Sequence, residues 1–159
     1  MTKDSSGFSL IELLIIVTVI LIIAAIAVPK LWRSKMAANQ ASAVASLRTI
    51  NTSEATYCST YNQGYTSSLA QLGPASSGPS SSSGAGLIDF VLASGSKSGY
   101  TFTYTPGAAV NGSTPSYELT ASPASVGKTG SNYYFTDNSN VIRQNTESSA
   151  SASDSPVGG

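Results

Sequence analysis

Residues 7–32 read GFSLIELLIIVTVILIIAAIAVPKLW, and one carboxylate, Glu12, stands near the start of an otherwise unbroken apolar run. From Leu13 to Val28 only Thr18 carries a polar side-chain atom. Such a segment offers no face to water and reads as a membrane-spanning or packed-core helix. Wound as a helix, Phe8 to Val28 extends about 31 Å, the thickness of a bilayer's hydrocarbon layer. A carboxylate inside an apolar bundle is costly unless it is paired, so Glu12 demands a partner.

The chain beyond residue 30 is long enough for one small domain and too short for two comfortable ones. One exported domain on a single anchor is the expectation. There is no His, one Cys, and only 10% of residues are charged. Ser, Thr, Gly, Ala and Asn fill much of the chain after residue 60, a composition that suits an extracellular protein better than a cytosolic enzyme. From residue 36 onward four cations, Arg48, Lys97, Lys128 and Arg143, stand against six carboxylates, Glu54, Asp89, Glu118, Asp137, Glu147 and Asp154. A head with that balance has no basic patch for nucleic acid. Cys58 has no intramolecular partner and reads as a small buried side chain on a helix face.

Pro29 ends the apolar run, and its ring removes one helical hydrogen bond and bends the axis. The following stretch, from Lys30 to Tyr61, is rich in helix formers, so a kink is expected rather than a stop. Val44, Leu47, Ile50, Tyr57 and Tyr61 recur at helical spacing, with Glu54 interrupting them. One stripe of this second half faces something apolar and the other faces water. GPASSGPSSSSGAG, within residues 73–86, is a flexible loop by composition. LIDFVLASG reads as one or two helical turns ending near Gly95. In GYTFTYTP, Tyr100, Phe102 and Tyr104 alternate with threonines, the signature of a half-buried strand, and SYELTA repeats it with Tyr117, Leu119 and Ala121. SNYYFTDNSNVIRQN is a strand, a turn over Asp137–Asn140, and a strand. Three or four antiparallel strands after a long helix make an α+β head. Residues 146–159 have nothing obvious to bury and are expected to be disordered.

With Gly7, Phe8, Glu12 and Pro29 at these positions, residues 3–35 resemble the N-terminal segment of type IV pilins and of type II secretion pseudopilins. The resemblance implies a fold: a long kinked N-terminal helix, half membrane-spanning and half amphipathic, packed on a small antiparallel sheet. It implies a leader at 1–7, an assembly helix at 8–29, an amphipathic helix at 30–62, and a head at 63–145 before the tail. A prepilin peptidase would cut between Gly7 and Phe8 and methylate the new Phe8 amine. Copies of the chain would then join through Phe8, Glu12 and Pro29 into a helical filament, by way of an inner-membrane assembly machinery. Glu12 would meet the Phe8 amine of a neighbour, and the water-poor core would strengthen that attraction. The subunit would reside in the inner membrane first, then in an extracellular pilus or a periplasmic pseudopilus. The resemblance implies no enzyme activity, cofactor or metal. Many pilins staple the C-terminal region with two cysteines, which a chain with one Cys does not have.

Other readings weigh against particular residues. Lys30, Arg33 and Lys35 follow the apolar run, and the positive-inside rule alone would leave the head in the cytoplasm. The cut-site constellation argues the opposite orientation. An ordinary signal-peptidase site at AIA, residues 25–27, would release a secreted β-rich domain, but the start of the chain is poorly basic. Ser94 and Lys97 form an S-x-x-K pair with no companion motif and no His to act as base. Asn51-Thr52-Ser53 and Asn111-Gly112-Ser113 match glycosylation sequons, common by chance in this composition.

Overall fold

The computed structural model describes residues 8–158. Two compact units divide the chain, one reaching to Lys35 and the other starting at Met36. Helix α1, Leu10–Tyr61, runs through that boundary and through Pro29 without a break in assignment. In the first unit every large apolar side chain of the run from Phe8 to Val28 is exposed.

The second unit has its own core. Ala43, Leu47, Ile50 and Tyr57 on one face of α1 gather with Tyr100, Phe102, Leu119, Ala121 and Tyr134 in a single buried cluster, and Val44 and Tyr61 pack at its edge. Their three- and four-residue spacing on the helix and two-residue spacing on the strands bring the two apolar faces together. The sheet is fully antiparallel, in the order β1-β2-β3-β4-β5-β6. Its strands are Ser96–Lys97, Tyr100–Pro106, Tyr117–Pro123, Tyr133–Asp137, Arg143–Asn145 and Ser155–Pro156. Tyr100 pairs with Pro123 and Pro106 with Tyr117, while Ala121 pairs with Tyr134. A polar bridge fixes the same register from the helix side: Asn51 Nδ2 donates to Thr136 Oγ1 (2.9 Å), and the Tyr117 hydroxyl donates to Asn51 Oδ1 (3.0 Å). On the other sheet face Glu118 lies directly opposite Asp137, a like-charge pairing that weakens the ladder locally.

A short helix α2, Phe90–Ala93, starts where Asp89 caps it by accepting from Leu92 N–H (2.9 Å). Lys97 Nζ also donates to Asp89 (2.7 Å), and it holds that carboxyl below the usual range. The turn after β4 forms as the Asp and Asn residues suggest: Ser139 N–H donates to Asp137 Oδ1, and Asn140 takes a positive φ of 61°.

Four expectations are corrected. The sheet has six strands rather than three or four, because β1 and β6 are two-residue edge pieces with no period to read. Residues 146–158 are not a free tail: β6 pairs with β5, Asn145 Nδ2 donates to Asp154 Oδ1 (2.9 Å), Arg143 donates to the Asp154 carbonyl, and Ala150 is buried. Backbone pairing, a carboxylate-capped turn at Ser151–Asp154 and Val157 packed at the edge of the core order it. The Ser-rich loop returns to the core: Ala85 N–H donates to Gln71 O and Gly86 N–H to Gly73 O, while the Tyr57 hydroxyl donates to Ser82 O (2.8 Å). Glu54 does not break the buried stripe but belongs to it, with 0% exposure.

Candidate processing and assembly site

Helix α1 begins at Leu10, which makes Ser9 its capping residue. Three residues on, Glu12 reaches back and accepts the Ser9 N–H at Oε2 (2.9 Å). The N–H groups of Glu12 and Leu13 both donate to the Ser9 carbonyl, at 3.1 and 3.2 Å. The spacing S-L-I-E is half of a capping box, in which an acidic side chain satisfies a donor that the first helical turn leaves unpaired. A negative charge is also favoured there by the helix dipole. The result is a carboxylate folded toward the chain start, against the backbone of the residue that follows Phe8.

Phe8 and Glu12 both lie at the start of an exposed apolar helix; Phe8 itself is 74% exposed. Gly7 lies outside the described residues. Pro29 sits far along the same helix and shares no contact with this end; having no N–H, it leaves the Ala25 carbonyl without its usual helical donor. Thr18 is reconciled with the apolar run by donating its hydroxyl to the Leu14 carbonyl (2.8 Å). Just past Pro29, Lys35 Nζ lies 5.8 Å from the centre of the Trp32 ring. An ammonium over an aromatic face of this kind is typical of the interface between lipid and water. Among the described residues one helix, Leu10–Tyr61, is long and apolar enough to cross a membrane, and its apolar window is 0% buried within the chain.

Elsewhere the candidate groups are engaged in other work. Ser94 Oγ donates to the Val91 carbonyl and Lys97 to Asp89, so the S-x-x-K pair is not a pair in space. Asn51 is buried with its amide committed to Thr136 and Tyr117, which removes it as a glycan acceptor. Asn111 is exposed in a turn with a positive φ of 51°. Cys58 is a free thiol, half-buried rather than enclosed. The contribution of Ser9 went unread in the sequence although S-x-x-E before an apolar run signals it.

Residues 2–28 match a family model described as the prokaryotic N-terminal methylation motif. No curated protein and no solved structure matches the chain. The fold, a long N-terminal apolar helix with its second half on an antiparallel sheet, is an α+β arrangement like that of type IV pilins. The family of that motif is structural rather than catalytic. With the motif matched over residues 2–28 and Phe8 and Glu12 at the start of an open apolar helix, the chain carries the prepilin-type cleavage and methylation segment of type IV pilins and pseudopilins.

Proposed function

We propose that this chain is a structural pilin subunit, cut after Gly7, methylated on the Phe8 amine, and assembled through its N-terminal helix into a type IV pilus filament. The observation that carries this reading is the contrast between its two units. The head closes its own core, whereas the large apolar side chains of the helix from Phe8 to Val28 find no cover among the described residues. Lipid covers such a surface before assembly, and copies of the same helix cover it afterwards. Helical filaments grow by contacts that do not close on themselves, and a bundle of apolar helices supplies them.

Cleavage gives the geometry at Ser9 and Glu12 its purpose. A new amine on Phe8 adds a positive charge one residue before the N–H that Glu12 already accepts. When a second subunit docks, its amine meets a carboxylate held at a helix start, in surroundings that screen little. The pair sets axial register, because a buried charge left unmatched costs several kcal/mol. A prepilin peptidase and an inner-membrane assembly machinery are the partners this requires. The pilus reading places the mature protein at the cell exterior.

The test is mass spectrometry of shed surface filaments together with a Gly7→Val variant. Filaments whose main component begins at N-methyl-Phe8 support the proposal, and the variant should stay unprocessed in the membrane. A mature terminus at Val28, or normal processing of Gly7→Val, would overturn it.

A further inference from the structure

Glu54 is fully buried on α1, and the groups around it are unlike those of an ion pair. Among the described residues the one ion pair is Lys97 with Asp89. What faces Glu54 is Thr66 from the segment after the helix and Tyr104 from β2, with the phenols of Tyr57 on α1, Tyr65 beside Thr66, and Tyr117 on β3 nearby. None of these carries a positive charge.

Four contacts of hydrogen-bond length tie the cluster together. Thr66 N lies 3.0 Å from Glu54 Oε2, and Thr66 Oγ1 makes a short contact with Glu54 Oε1. Thr66 Oγ1 lies 3.1 Å from the Tyr104 hydroxyl oxygen, which in turn lies 2.9 Å from the Thr66 carbonyl. Each contact needs a hydrogen. Thr66 supplies its N–H and one O–H, and Tyr104 supplies one O–H. With an ionised Glu54 there are only three hydrogens for four contacts, so either two lone pairs face each other or the Tyr104 hydrogen is split between the Thr66 carbonyl and Thr66 Oγ1, weakening both contacts. A proton on Glu54 completes the set. Glu54 then donates to Thr66 Oγ1, Thr66 donates to Tyr104, Tyr104 donates to the Thr66 carbonyl, and Thr66 N–H donates to Glu54 Oε2.

We propose that Glu54 is a neutral carboxylic acid in the folded head and that its proton is the closing link of a clamp fastening Thr66 to α1 and β2, a clamp that releases when the proton is lost. What the clamp holds extends beyond Thr66. Tyr65 N–H donates to the Thr114 carbonyl (2.9 Å) and Thr114 N–H to the Gln63 carbonyl (3.2 Å). Gly64 makes this approach possible, since at its φ of 78° a Cβ would run into the Thr114 carbonyl. Release of Thr66 thus loosens the segment after the helix and the loop at 113–114 that leans on it, while the α1–sheet core stays packed. Burial pushes the Glu54 carboxyl up from its ordinary value, against the opposing pull of the Thr66 hydrogen bonds and, more weakly, of Tyr104. Burial likewise pushes the Tyr104 phenol up, so it keeps its proton over the same range.

The test uses the full chain in detergent micelles, with the Glu54 carboxyl carbon followed by NMR and the Thr66 amide by hydrogen exchange. At about pH 7 the carboxyl should keep the shift of a protonated acid, where an ordinary glutamate is ionised. Glu54→Gln carries its own donor and keeps all four contacts without a titrating proton. The ratio of Thr66 exchange rates, wild type over Glu54→Gln, should therefore rise by roughly tenfold or more between about pH 5 and about pH 9. A carboxylate shift already present at about pH 6, or a ratio that stays flat, would overturn the proposal. If Glu54→Gln fails to fold, the carboxyl titration of the wild type decides alone.

Discussion

Leu47→Ala separates what holds the head together from what the N-terminal helix is for. Leu47 has 0% exposure and belongs to the cluster shared by α1, β2 and β3. The substitution deletes three carbons, worth about 0.8 kcal/mol each in lost burial, and leaves a cavity whose walls relax only in part. The sum is roughly 3 to 4 kcal/mol. For a domain of this size each kcal/mol lowers Tm by about 4 °C, so the melt should fall by about 12 to 16 °C. Ile20→Ala is the matched control, for Ile20 is 58% exposed in the apolar run. It should leave the head's melt within about 2 °C of wild type and reduce the yield of filaments instead. Near-UV circular dichroism of the full chains in detergent reads the first effect, and the mass of shed filaments reads the second. If Leu47→Ala melts within about 3 °C of wild type, the cluster is not the head's main support. If Ile20→Ala destabilises the head as much, the two units do not have the separate roles argued above.

Glu12→Val should insert in the membrane and be cut, since removing a charge eases insertion, yet yield no filaments in a strain lacking the wild-type gene; normal filaments would sink the amine-pairing model. Deleting residues 148–159 removes β6 and the Asp154 partner of Asn145 and Arg143. Several hydrogen bonds at about 1 kcal/mol each should make thermal denaturation occur several degrees lower, whereas an unchanged melt would return the segment to the status of a tail. Alkaline pH should weaken the head for a reason distinct from Glu54. Burial, aided by nearby Tyr134, pushes the Tyr100 phenol up to about 12, so the folded state holds a proton that the unfolded chain releases near 10. Stability is then whole below about pH 10 and lost as pH rises toward about 12. Ultraviolet titration should show the buried tyrosines ionising only together with unfolding; a single transition near 10 with the fold intact would refute the assignment.

The elements legible in the sequence are those whose burial has a period. Tyr100 and Phe102 are buried while Thr101 and Thr103, each following one of them, are exposed, as alternation requires, and Tyr117, Leu119 and Ala121 repeat the pattern. The apolar run needed only its length. Edge pieces such as β1 and β6 were illegible because two residues have no period, and the C-terminal segment because its order rests on backbone pairing and on Val157, one apolar side chain with no period around it. The two glutamates of α1 show the deeper reason. Glu12 has apolar neighbours in sequence, yet in the single chain it lies at an open helix start. Glu54 has polar neighbours in sequence, Thr52, Ser53 and Thr56 among them, yet is wholly enclosed. Its position on the stripe of Leu47, Ile50 and Tyr57 marks it for burial, but the residue that makes burial tolerable, Thr66, lies beyond the helix end where no helical spacing leads. A carboxyl is stable where a donor or a proton reaches it. For Glu54 that donor is in its own chain, so folding alone encloses it. For Glu12 the Ser9 N–H satisfies only part of its demand, and on the pilin reading the rest comes from another copy. On that reading one glutamate belongs to the fold and the other waits for assembly.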